Sequence, residues 1–195
     1  MVFTHLNGEN LRRRRGILGV LDEKTENEYN YLKENKREME KKKSEYMRRA
    51  VALSRESMER GGGPFGAVVV RDGRIVGEGA NCVTLHGDPT AHAEVVAIRQ
   101  AAENLGDFDL SGCEIYTSCE PCPMCLGAIY WARLGRVYYA NDRRDAQEAG
   151  FDDSLIYDEI AQPPGERSIG MEKLPDPQAR AVFDRWIEKE DKTEY

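Results

Sequence analysis

A chain of 195 residues, 40% of them hydrophobic, is long enough to bury one good core and short for two independent ones. Its net charge of -7 divides unevenly, with 11 basic and 8 acidic side chains in residues 1–43 against 17 and 27 in residues 44–195. The acidic body argues against reading a phosphate backbone, which needs a clustered positive field, and no run approaches the roughly 18 consecutive apolar residues of a membrane-spanning helix. Five cysteines, Cys82, Cys113, Cys119, Cys122 and Cys125, are odd in number and follow no leader-like apolar run, so a reduced, cytoplasmic protein is expected.

Residues 1–43 read as a charged extension, helical or disordered: Arg12, Arg13, Arg14 and Arg15 lead into a Glu/Lys-rich stretch, Asp22 to Lys43, with few apolar positions. A single domain then occupies residues 44–195. Ser44 reads as a cap, and Met47, Val51, Ser54 and Met58 recur at helical spacing until Gly61-Gly62-Gly63-Pro64 stops the helix. Gly66 to Arg71 and Arg74 to Ala80 flank Asp72-Gly73, the signature of a two-residue hairpin, and should pair as antiparallel strands. Asn81 falls at the strand end. Ala91 to Asn104 is alanine-rich, with Val95, Ile98 and Ala102 on one face, and reads as a helix. Cys113 to Ser118 reads as a buried strand, Pro121 to Arg133 as a helix with proline in its first turn, and Arg136 to Ala140 as the next strand. This alternation points to a layered α/β domain.

The chemistry lies in two clusters, His92-Ala93-Glu94 and Pro121-Cys122-Pro123-Met124-Cys125, each opening a helix directly after a loop. Cys122 and Cys125 are three apart and share a helix face, and a helix N-terminus favours their thiolate forms. With His92 they make a set of one nitrogen and two sulfurs, which suits tetrahedral zinc with a fourth position for water. Zinc brings the pKa of water from about 15.7 towards about 7. Glu94, beside the metal and not bound to it, would take that proton and pass protons to a ring nitrogen and a departing amine. Zinc-dependent deaminases carry this pairing of H-x-E with P-C-x-x-C.

Other candidates have plainer readings. Cys82, Cys113 and Cys119 pack as small core residues, His86 is a loop histidine, and His5 lies in the extension. Tyr130 and Trp131 suit core or pocket wall alike. Asn81 is the best polar pocket residue, since an amide both donates to and accepts from a base edge.

Beyond the zinc clusters, the chain carries Gly63-Pro64-Phe65-Gly66-Ala67, Asp88-Pro89-Thr90-Ala91, Thr117-Ser118-Cys119-Glu120, Gly150-Phe151-Asp152-Asp153-Ser154 and a terminal Glu194-Tyr195. In these it resembles the cytidine deaminase-like superfamily, and within it the small bacterial guanine deaminases, over residues 44–195. The resemblance implies a three-layer α/β/α fold with a central five-stranded mixed sheet, one zinc ion per subunit, and hydrolysis of guanine to xanthine and ammonia. It also implies a homodimer exchanging C-terminal segments, about residues 155–195, over each partner's site. Carried over, Phe65 would stack near the base, Asn81 would hydrogen-bond it, Asp153 would relay a proton or hold the purine edge, and Tyr195 would close the pocket. Ala93 and Trp131 are further substrate-binding candidates. The competing readings are a tRNA adenosine deaminase, a guanosine or cytosine deaminase, and a catalytically dead zinc-binding interaction module.

Overall fold

The computed structural model describes residues 23–194; Tyr195, His5 and the run Arg12 to Arg15 lie outside the described residues. Helix α1 spans Glu23–Glu59, and the chain divides into two compact units between Tyr46 and Met47. In the first unit, α1 is sustained by surface pairs such as Lys42 with Glu38 at 3.8 Å and Lys43 with Glu40 at 3.4 Å, one turn apart. The helix thus starts well before Ser44, whose hydroxyl donates to the Glu40 carbonyl at 2.9 Å inside it and does not cap it.

In the second unit the chain forms strands β1 (Gly66–Arg71), β2 (Arg74–Ala80), β3 (Glu114–Cys119) and β4 (Arg136–Asn141). Among them run helices α2 (Val83–His86), α3 (Ala93–Leu105), α4 (Pro123–Trp131), α5 (Arg143–Glu148), α6 (Ser154–Ala161) and α7 (Pro177–Glu188). The sheet order is β2-β1-β3-β4, with β1 antiparallel to both β2 and β3, and β4 parallel to β3. Asp72 and Gly73, at φ 50° and 74°, make the expected hairpin turn, in which both central residues are left-handed.

Among the described residues the mixed sheet has four strands, not the five expected from the resemblance. After β4, Asp142 caps α5 with a reciprocal capping box, which ends any extended run. Further on, prolines at 163, 164, 175 and 177 interrupt the segment that could supply another strand, because proline has no N–H for the ladder.

Glycines set the layer spacing. Gly66, on one face, brings the strand so near α1 that a Cβ there would meet the Ala50 carbonyl, the Ser54 amide and Leu53. This close contact buries Ala50, Leu53 and Ser57. Of the expected stripe, Met47 and Ser54 are half-buried, while Val51 and Met58 turn outward, Met58 56% exposed, because a long side chain does not fit so near a strand backbone. On the opposite face, Gly77 and Gly79 of β2 let α3 settle on the sheet through Ala93, Ala97 and Ala101. Val95, Ile98 and Ala102 flank that contact only partly buried. α4 adds Ile129, and Ala132 just beyond its end joins it in the core over Ile115. The result is three layers, α/β/α.

Arg49 ties α1 to the sheet edge: its guanidinium donates to both carboxylate oxygens of Glu78 on β2, at 2.8 and 2.6 Å, and to Glu56 at 2.9 Å. The hydrogen bond from Arg49 holds the Glu78 carboxyl below its ordinary range.

Gly79→Ala is expected to cost about 1–3 kcal/mol, the usual cost of overpacking, read as a lower urea midpoint, because the added methyl meets the Ala93 carbonyl and the Ala97 amide. Glu78→Gln should cost about 0.5–1 kcal/mol at pH 7, since the pair stays a third exposed. A carboxyl whose pKa falls on folding stabilises the fold above its unfolded value, about 4.3, and loses that contribution as the pH drops through the lower folded value. The gap between wild type and Glu78→Gln should therefore close below about pH 4 in urea titrations.

Candidate metal centre and adjoining cavity

The chemistry-bearing residues gather at one end of the sheet because the strand directions require it. β1 begins there just after Phe65, and β2, β3 and β4 all end there, at Ala80, Cys119 and Asn141. Their connections are pinned together: the Asn81 amide donates to the Phe65 carbonyl at 3.0 Å, and the Glu120 amide to the Asn141 carbonyl at 2.8 Å.

Two helices start at this end. His92 precedes α3 in the extended N-cap position, with Glu94 in the first turn. Cys122 holds the same position before α4, with Cys125 in its first turn. The proline inside α4 is Pro123, not Pro121, so Cys122 falls at the boundary and its side chain is free of helical packing. Nδ1 of His92 lies 3.5 Å from the sulfur of Cys122 and 3.5 Å from that of Cys125. Donor atoms of all three residues fall within 4.8 Å of one another.

Glu94, 5% exposed, stands beside this set. One of its oxygens accepts from the Cys125 thiol at 3.3 Å and the other from the Thr117 hydroxyl at 3.4 Å. Burial pushes the Glu94 carboxyl up. The hydrogen bond from Cys125, ahead of that from His92, draws the Cys122 thiol down to about 4, and the bond with Cys122 raises His92. That same sulfur-to-sulfur bond, together with burial and the nearby Glu94, holds Cys125 up. Two sulfurs, an imidazole nitrogen and a buried carboxyl thus crowd around one point, an arrangement that suits a divalent cation. One imidazole nitrogen with two sulfurs suits zinc.

Beside the donors opens a cavity of about 530 Å³, lined by Phe65, Asn81, His92, Glu94, Cys122 and Asp153, among others. Phe65 meets Phe151 edge to face, ring centres 4.9 Å apart, forming an aromatic wall. Asn81 is buried, and its Oδ1 accepts from the Gly63 and Val83 amides at 3.3 Å each, so the atom it has left to offer is Nδ2. Asp153 precedes α6 without capping it. Asp152 does that work, accepting from the Ser154 amide at 2.9 Å, which leaves the Asp153 carboxyl to the cavity. Burial raises Asp153, with the Cys122 charge adding to it.

Two expected pocket residues lie elsewhere in this chain. Trp131, at the end of α4, is 68% exposed and does not line the cavity. Ala93 is fully buried, and its carbonyl abuts Gly79. Among the cavity residues that escaped the sequence reading are Arg143, whose guanidinium lies 5.3 Å from the centre of the Tyr157 ring, Phe151, and Gly63. Phe151 and Gly63 sat inside recognised motifs, whereas nothing in the sequence marked Arg143. Cys82, Cys113 and Cys119 are buried, as expected of core residues, and burial pushes the Cys119 thiol up to about 11, away from reactivity.

Residues 40–141 match the family described as the cytidine and deoxycytidylate deaminase zinc-binding region. A guanine deaminase of Bacillus subtilis is 54% identical over 151 residues, which span 77% of this chain and 97% of that protein. The X-ray structure of guanine deaminase from Bacillus subtilis superposes with a TM-score of 0.76 at 53% identity, covering 78% of this chain and 98% of that chain. A tRNA-specific adenosine deaminase of Agrobacterium fabrum is 42% identical over 97 residues, 50% of this chain and 64% of that protein. A likeness that takes in both zinc clusters and half the chain or more leaves one conclusion: this chain belongs to the cytidine and deoxycytidylate deaminase zinc-binding family.

Proposed function

We propose that this chain hydrolyses guanine to xanthine and ammonia, with zinc held by His92, Cys122 and Cys125. The observation that carries the chemistry is the place of Glu94, buried beside the three donors yet open to the same cavity. Zinc in that set supplies Lewis acidity and hydroxide at neutral pH.

Glu94 moves the protons. Its carboxylate takes one proton from water as the water oxygen adds to the ring carbon bearing the amino group and gives it to the ring nitrogen, then takes the second proton from the added hydroxyl and gives it to the amine as the carbon–nitrogen bond breaks. Water supplies the new carbonyl oxygen, and the amine leaves as ammonia. Burial serves this exchange, because raising the carboxyl above its ordinary range makes its ionised form a better proton acceptor.

The purine is chosen by charge and shape. Guanine carries neighbouring N–H groups, and a carboxylate accepts from such donors; Asp153 is placed on the cavity to do so. Nδ2 of Asn81 offers the opposite polarity, a donor for a ring nitrogen or carbonyl oxygen. Phe65 supplies an aromatic face. The net charge of residues 44–195 disfavours a tRNA substrate, which needs a basic surface.

The C-terminal segment supports a homodimer with exchanged arms as the working assembly. No residue of α7 is buried, and Val182, Phe183, Trp186 and Ile187 form an apolar stripe along it, with Phe183 66% exposed. An amphipathic helix of this kind is stable when its stripe is covered. Tyr195 would then close a partner's cavity. No helix among the described residues is long and apolar enough to cross a membrane, and five free thiols support a reducing, cytoplasmic setting.

Zinc-loaded protein incubated separately with guanine, guanosine, adenine, cytosine and tRNA should release ammonia from guanine alone; release from another substrate instead would overturn the substrate assignment. Glu94→Gln is expected to keep zinc and fold while losing at least 100-fold in turnover, and Cys122→Ala to lose zinc by metal analysis. Full turnover by the Glu94 variant would sink the mechanism. Light scattering should give twice the chain mass for residues 1–195 and a smaller assembly once residues 155–195 are removed.

A further inference from the structure

Asn81 reaches the cavity from a backbone that is held at both ends. Its amide N–H donates to the Phe65 carbonyl at 3.0 Å, and its carbonyl accepts the Ser57 hydroxyl at 2.7 Å. The Ser57 hydroxyl comes from the buried face of α1, so neither end of the residue can shift without disturbing the contact between α1 and the sheet. Whatever presses on the side chain must therefore turn the side chain.

Gly63 presses on it from one side. Its N–H donates to Oδ1 at 3.3 Å, and its bare Cα lies so near that an added Cβ would sit 3.1 Å from Cγ, 3.2 Å from Oδ1 and 3.4 Å from Nδ2. These are the tightest contacts such a methyl would make, and all three are with the Asn81 amide. The neighbouring glycines differ. Gly61 is left-handed at φ 89°, and a Cβ on Gly62 would strike the Asn81 carbonyl and the Ser57 hydroxyl. Only at Gly63 does the absence of a side chain act on the amide itself.

We infer that Gly63 is a specificity-positioning residue, whose N–H, beside that of Val83, and missing side chain fix the Asn81 amide with Oδ1 turned to the backbone and Nδ2 left for the substrate. An amide has two faces of similar size and opposite polarity. Held this way, Asn81 offers a donor and so selects a base edge that presents an acceptor. Crowded by a Cβ at Gly63, the amide turns against its contact with Val83, and with its oxygen towards the cavity the same pocket would admit an amino group there. The glycine before Pro64 thus reads as part of the recognition surface through its hold on Asn81. This inference rests on the proposed deaminase reading.

The test is a double-mutant cycle on the zinc-loaded full chain: wild type, Gly63→Ala, Asn81→Ala and the double variant, with steady-state kinetics on guanine, zinc content and thermal midpoint for each. Gly63→Ala is expected to keep zinc and its midpoint, to raise KM about tenfold, and to change kcat less than KM. In the Asn81→Ala background the same substitution should cost less than twofold, since no amide remains to be turned. An unchanged KM in Gly63→Ala, or an equal penalty with and without the Asn81 side chain, would overturn the inference. If wild type leaves guanine untouched and deaminates another base, the substrate reading fails, and the same cycle run on that base still decides the role of Gly63.

Discussion

The close approach of α3 to β2 is the constraint on which the site depends. Gly77 and Gly79 present bare backbone to Ala93, Ala97 and Ala101, so helix and strand meet with almost nothing between them. Any side chain at the two glycines would lift the helix, and its first turn carries Glu94, directly behind His92. Packing at the sheet surface and placement of the metal donors are therefore one geometric fact. Gly66 does the same on the other face, where it sets α1 against β1 and through Ser57 fixes Asn81. The sheet is a plane from which each functional residue is held at a set height.

What the packing creates is electrostatically unfavourable on its own. A buried carboxyl, two thiols and an imidazole share a few ångströms at the starts of two helices. Helix dipoles offset some of this charge, but the set is complete only with a cation. Folding thus prepares the site by gathering donors that would otherwise repel. The same burial that raises Glu94 suits it to the proton-carrying role proposed for it, where an exposed carboxylate would be a weak base.

The recognition proposed for this cavity rests on a division of labour between neighbouring residues. Asp152 satisfies the start of α6, which frees Asp153. Backbone amides occupy Oδ1 of Asn81, which leaves its nitrogen. In each pair, one hydrogen-bonding group is consumed by structure so that its companion faces the cavity with a defined polarity. Phe65 and Phe151 add an apolar wall that holds no particular edge. The exposed stripe of α7 shows that a single chain leaves apolar surface uncovered.

Sequence alone determined the chemistry, because ligand type and spacing are local. His92, Glu94, Cys122 and Cys125 could be picked out from two short clusters, since residues three apart on a helix must share a face and only a few ligand sets suit an open zinc. The hairpin at Asp72-Gly73 was legible for the same reason: its turn depends on two residues. Tertiary structure decided whatever depends on which surfaces meet. The buried face of α1 follows from the close fit of Gly66 and not from the largest apolar side chains, so Met58 lies outside and Ser57 inside. Trp131, as suited by its sequence to core as to pocket wall, is 68% exposed and off the cavity in this chain, and Arg143, unmarked in the sequence, reaches the cavity. The polarity that Asn81 offers is fixed by amides at Gly63 and Val83, the first of them 18 positions away, which no local pattern reports.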